Sequence, residues 1–180
     1  MNNKFPETCL LDTNVPKTAN LAINPNDIPD ELVDCVQMCV KAVEHVIRTK
    51  GLVLDDGDEI FDEYRKNISM SGQPGVGDKF MKWVHDNRWN LPESNRVEIT
   101  KQTGINGYSQ FPNHVGLRNF DRSDRKFVAV ANAHPNKPPI LEATDSKWWG
   151  WKDALLEVGI TVQFMCPDYI EPIFRDKTKT

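Results

Sequence analysis

Three apolar residues, Cys9, Leu10 and Leu11, run straight into Asp12 and two small polar side chains, Thr13 and Asn14. The run predicts a short buried strand that ends on a carboxylate. A turn explains that aspartate by itself, because Asp hydrogen-bonds its own backbone and closes strand ends. A functional site explains it as well, provided other acids converge on it. Residues 14–27 are polar with two prolines and predict a connection. After Pro29, Leu32, Cys35, Val36, Cys39, Val40, Val43, Val46 and Ile47 recur at helical spacing, with Gly51 as the stop. Leu52, Val53 and Leu54 predict a second buried strand. The segment DDGDEIFDEYRKN turns into a second helix, where Asp56 and Glu59 have the spacing of an acidic capping box.

Periodicity weakens over residues 68–120. GQPGVGD lacks the Lys and Ser/Thr of a phosphate-binding loop and the strand before it, so it reads as turn chemistry. FMKWVHDNRW predicts a helix, RVEIT a short strand and residues 104–116 a loop. Pattern returns in FDRSDRKFVAVANAH, a helix with Phe127, Val128, Val130 and Ala131 apolar. PPILEATD is a strand that again ends on an acid, WWGWKDALLEVG a helix closed by Gly159, and ITVQFMC a final strand. Strands alternating with helices at this spacing predict an α/β fold, a three-layer α/β/α sandwich with a central parallel sheet. A chain of 180 residues makes one such domain, with an atypical insert at 68–120.

No apolar run approaches the roughly 20 residues that cross a bilayer, and the first residues, MNNKFPETC, carry no apolar signal core. The expectation is a cytoplasmic protein with no membrane partner. Cys9 and Cys166 sit in apolar strand-like runs, and Cys35 and Cys39 lie four apart on one helical face. They read as buried reduced thiols rather than a zinc site. The net charge of -4 argues against passive binding of nucleic acid through a basic surface. An acidic site that reaches phosphate through metal ions stays open.

In open α/β sheets, ligands bind outside the carboxyl ends of the strands. Asp12 and Asp145 both close strands and face one crevice if those strands are neighbours, although Asp145 and Ser146 also suit the cap of the following helix. Glu63 lies on the apolar stripe of its helix between Ile60 and Tyr64. Asp124 shares a helix face with Val128 and Ala131, while Asp121, one turn earlier, suits the cap and competes with it for the site. Carboxylates that converge in a buried place repel and lose hydration, and divalent cations relieve that cost. All-oxygen ligation suits Mg2+ or Mn2+ rather than zinc.

The succession LLDTN, DEYRKN, FDRSDRKFVAVANAH and ILEATDSKW, closed by GITVQFMC, resembles the PIN-domain nuclease family. The blocks occur in the family's order and span residues 10–166. The resemblance implies helices on both faces of a parallel sheet and a metal-dependent phosphodiesterase, often an endoribonuclease, leaving 5′-phosphate products. By position, Asp12, Glu63, Asp124 and Asp145 match the family's catalytic and metal-holding acids, and Thr13, Asn14 and Ser146 its supporting polar residues. The substrate is then nucleic acid, RNA before DNA, and an antitoxin or other regulatory protein is a possible partner. Residues 68–120 match nothing in the compact members of the family.

Arg122, Arg125, Lys126 and Lys147 flank the acids, either as phosphate contacts or as an ordinary solvated face. The WWGW run reads as core or interface, or as a platform for bases. A haloacid-dehalogenase-type phosphatase also begins with a strand ending in Asp, but it needs a second Asp where this chain has Asn14. A phospho-acceptor receiver domain lacks its paired acids and later lysine here. The alternative of a different class is a PIN-like binding or regulatory module without turnover.

Overall fold

A computed structural model describes residues 4–70, 74–104 and 106–179 as a mixed α/β fold. Strand β1 (Leu10–Leu11) pairs in parallel with β4 (Ile140–Glu142), and β4 with β5 (Val162–Phe164). Strand β2 (Leu54–Asp55) pairs in parallel with β3 (Arg96–Val97). A single parallel bridge, Cys9 to Leu52, joins the two ladders: the Cys9 amide donates to Gly51 and the Val53 amide to Cys9, each at 2.9 Å. The strands therefore follow one another in space as β3, β2, β1, β4, β5. Between β1 and β4 the direction of winding reverses.

Gly51 has a different reason from the one its position suggests. The left-handed residue that ends α2 (Val33–Thr49) is Lys50, with φ 56°. A Cβ on Gly51 would lie 1.9 Å from the Glu7 carbonyl oxygen, so the glycine is required by the close approach of the first strand. The connection at residues 14–27 is largely helical. It begins with α1 (Asn14–Ala19), in which Pro16 falls in the first turn, where its missing N–H costs nothing. Val15, Thr18 and Ala19 are buried, which a polar reading of the segment overlooked.

Helix α3 (Glu59–Asn67) is not capped by an Asp56–Glu59 box. Asp55, the last residue of β2, accepts from the Glu59 amide at 2.8 Å and the Ile60 amide at 2.9 Å. Asp56 instead pairs with Arg96 at 2.6 Å and Glu59 with Lys101 at 2.6 Å. The glycine-rich run opens α4 (Val76–Asn87) rather than a turn, though Gly72 and Gln73 lie outside the described residues. A Cβ on Gly77 would come within 2.1 Å of the Pro16 carbonyl oxygen, so this glycine lets α4 approach α1. Phe80, Met81 and Val84 of α4, with Tyr108, Phe111 and Phe120, join the same core as β1 and β4, so residues 68–120 are not a peripheral appendage.

Helices α5 (Arg125–Ala133) and α6 (Lys147–Glu157) follow expectation, and α7 (Pro167–Thr178) was not foreseen. Trp148 is wholly buried, Trp149 packs on Phe164 at 4.9 Å and Trp151 on Phe120 at 4.6 Å, so all three rings of the WWGW run are engaged in packing within the chain. The reading of four reduced thiols is corrected for two of them: Cys35 of α2 and Cys166, at the start of α7, form a disulfide, while Cys9 and Cys39 are free and buried. Burial of both partners brought them together across 131 residues, which spacing along the chain does not reveal. Among the described residues no helix is long and apolar enough to cross a membrane.

One buried contact ties the core to the end of β1. The Tyr64 hydroxyl donates to the Leu11 carbonyl at 2.5 Å from a fully buried ring on α3. Tyr64→Phe should therefore lower the stability measured by chemical denaturation by about 1–3 kcal/mol, because it leaves a buried acceptor unpaired while keeping the ring.

Candidate functional site

Leu11 and Leu141 are register partners in parallel strands, so one residue further on Asp12 and Glu142 stand side by side at the carboxyl ends of β1 and β4. Both are buried, Asp12 at 2% and Glu142 at 0% exposure. The Asp12 amide extends the ladder by donating to Leu141 at 2.9 Å. Its carboxylate accepts from the Asn14 amide at 2.8 Å, so the turn that Asp12 closes is real, and the same side chain also meets a second acid. Glu142 accepts from the Asp145 amide through Oε1 at 3.0 Å, while its buried Oε2 has no donor. An oxygen that faces another carboxyl is satisfied only by a proton or a cation.

The electrostatics follow from that crowding. Burial pushes the Asp12 carboxyl up to about 6; the Asn14 amide and the Glu142 carboxyl pull it back, and the charges of Glu63 and Asp145 raise it further. Burial and then the Asp12 charge hold Glu142 well above the ordinary carboxylate range, so Glu142 is the one that keeps a proton and turns it toward Asp12. Asp124 is pushed up to about 7 by burial first, then by the charges of Asp12, Asp121 and Glu63, with the Ser123 hydroxyl opposing. These mutual effects bring Asp12, Glu63, Asp124, Asp145 and Glu142 into one electrostatic neighbourhood.

Each of the expected residues has a definite role in holding it. Asp124 occupies the position just before α5, yet its side chain makes no cap hydrogen bond. Asp121 does not cap α5 either. It closes a turn by accepting from the Ser123 amide at 3.1 Å and pairs with Lys147 at 3.0 Å, which holds its carboxyl below the usual range. Thr13 donates to Glu63 Oε1 at 2.7 Å and so ties α3 to the end of β1. Lys126 pairs with Glu63 Oε2 and donates to the Ser123 carbonyl. Asp145 accepts from the Lys147 amide at 2.9 Å and thus supports the start of α6 as well as facing the acids. Ser146 is buried and its hydroxyl accepts from Lys177 of α7 at 3.1 Å.

The four flanking cations separate into different cases. Arg125 is buried, and its guanidinium donates to the Phe120 carbonyl at 3.1 and 2.9 Å and to Arg118 at 2.9 Å while lying 4.6 Å over the Phe111 ring. Its expected phosphate contact is therefore withdrawn: the group is spent on stitching residues 118–120 to α5. Lys126 is paired with the site acid Glu63, Lys147 with Asp121 outside that set, and Arg122 is exposed.

Glu142 is the residue that sequence reasoning missed. The strand was read as ending on Asp145, whereas it ends at Glu142. A signal was present, since a glutamate within the apolar run of a strand buried on both faces has no structural excuse. Among the described residues, no three carboxylates bring oxygens within 4.8 Å of one another; the three sulfurs of Cys35, Cys39 and Cys166 do. The acids are therefore electrostatic neighbours without being drawn together into a ready-made set of ligands. No family model, curated protein or solved structure matches the chain.

Proposed function

We propose that the chain is a metal-dependent nuclease of PIN-like, three-layer architecture that hydrolyses phosphodiester bonds, RNA before DNA. The observation that carries this reading is the Asp12–Glu142 carboxyl pair, buried at the reversal point of the strand order with no N–H or hydroxyl donor reaching Glu142 Oε2. The residues fit a divalent ion, because all the donors are oxygens and their crowding is relieved by positive charge. Asp12, Asp124 and Asp145 would hold Mg2+ or Mn2+, with Glu142 beside Asp12. Such an ion supplies an activated water at neutral pH and neutralises charge on the phosphodiester.

The chain's own groups do the rest. Thr13 fixes Glu63 at the crevice edge, and the Asn14 amide fixes the rotamer of Asp12. On this reading Lys126, paired with Glu63, would meet a phosphate oxygen when substrate enters, and Lys147 and Arg122 would add to its attraction. A regulatory protein that covers the crevice would act on the same residues.

The Lys126–Glu63 ion pair also favours a second reading, a PIN-like module that binds without turnover, because a cation of the protein already partners one of the acids. Two measurements on purified protein divide the readings. In millimolar Mn2+ the protein should cleave labelled single-stranded RNA and melt at a higher temperature than in excess chelator, since a ligand of the native state stabilises it. Asp12→Asn should lose both effects. A melting shift without cleavage selects the module; cleavage that survives chelator or Asp12→Asn removes the metal mechanism.

A further inference from the structure

Behind the acids lies a second cluster of a different chemistry. Cys35 and Cys39 stand one turn apart on α2, and Cys166 stands at the junction of β5 and α7. Their three sulfurs all lie within 4.8 Å of one another and all three residues are buried. Two of these sulfurs are joined in the disulfide, so an ion bound equally to three sulfurs at about 2.3 Å, which separates them by roughly 4 Å, requires that bond to be broken and Cys35 and Cys166 to part. A cleft of about 630 Å³ leads to Cys35 and Cys166, and Met38 and Met165 line it. Glu31, Asp34 and Asp168 line the same cleft and favour the entry of a cation.

We propose that Cys35, Cys39 and Cys166 form a site for a monovalent copper ion once the Cys35–Cys166 disulfide is reduced, with the Met38 and Met165 thioethers guarding the way in. A dithiol reductant supplies two electrons and two protons, leaves as its own cyclic disulfide, and converts Cys35 and Cys166 to thiols. Each thiol that becomes a ligand then releases one proton to solvent, and copper enters and stays as Cu(I). Three thiolates with thioethers and no imidazole or carboxylate among them select a soft ion over Mg2+ or Ca2+. The oxidised chain offers only Cys39 and has no site.

The test is an anaerobic titration of the full chain against Cu(I) held by a chromophoric chelator. Protein reduced with a dithiol should withdraw one equivalent of copper, and the disulfide form none. Cys39→Ala and Cys39→Ser, each reduced, should bind at least about a hundredfold more weakly, the upper end of what losing even an outer-shell partner costs. Met38→Leu, which leaves the thiols in place, should weaken binding several-fold, and Asp12→Asn should leave it unchanged. Copper remaining with the chelator, equal binding by the disulfide form, or wild-type affinity in both Cys39 variants would overturn the proposal. So would a chain whose circular dichroism collapses on reduction, because the site then has no scaffold.

Discussion

Asp124→Asn is expected to lower metal-dependent cleavage by about a hundredfold or more, the scale on which the loss of one charge-stabilising group acts, while the fold survives. Asp121→Asn should retain most of the activity. The two acids are three residues apart, but Asp121 is ion-paired with Lys147 and committed to the Ser123 turn, whereas Asp124 makes no cap contact and feels Asp12 and Glu63. Asn keeps the size and polarity of Asp, so a folded, inactive protein is the informative outcome. Rates on single-stranded RNA, with melting curves for both variants, check this. An inactive Asp121→Asn beside an active Asp124→Asn would transfer the role.

The metal-free protein should lose stability as pH rises through the range where its site acids ionise. Asp12 and Asp124 have folded values raised to about 6 and about 7, and Glu142 is raised well above its ordinary value. The folded chain thus holds more protons than the unfolded one across that interval. The stabilisation is complete below the unfolded carboxylate range and is lost as pH climbs through the folded values. For Asp12 alone, a rise of about two units corresponds to a loss on the order of 3 kcal/mol. Glu142→Gln should flatten this slope, because its amide donates to Asp12 with no proton to lose, and should raise metal-free stability at about pH 8. Urea midpoints in chelator at about pH 5 and about pH 8 measure it. If Glu142 also holds the metal, Glu142→Gln shrinks the Mn2+ melting shift. A slope unchanged in Glu142→Gln would remove the shared proton from the account.

Helix α2 was legible because eight apolar residues at helical spacing leave few alternatives, α5 because Phe127, Val128, Val130 and Ala131 repeat the pattern, and α6 because Gly159 closes it. Helix α1 was not, since its buried residues are interrupted by Pro16 and Lys17 and owe their burial to α2 and α4 rather than to any pattern of their own. The start of α3 was misread because the acid that caps it, Asp55, is the end of the preceding strand. Capping boxes are read from spacing, whereas this cap arrives from outside the usual register.

The sequence by itself determined an α/β alternation and four of the acids that now share one electrostatic neighbourhood, because periodicity and strand-ending carboxylates are properties of short segments. It also determined the polar neighbours Thr13 and Asn14, whose contacts are near in sequence or ride on adjoining elements. Only the tertiary structure decided what depends on register and long-range approach. The pairing of Leu11 with Leu141 set Glu142 beside Asp12, and the approach of the β5–α7 junction to α2 joined Cys35 to Cys166. The loop that wraps Arg125 turned an apparent phosphate ligand into a structural cation. In each case the deciding partner lies outside the window in which a residue's own neighbours carry information, and burial, which sets the energies of these groups, is a property of the whole fold.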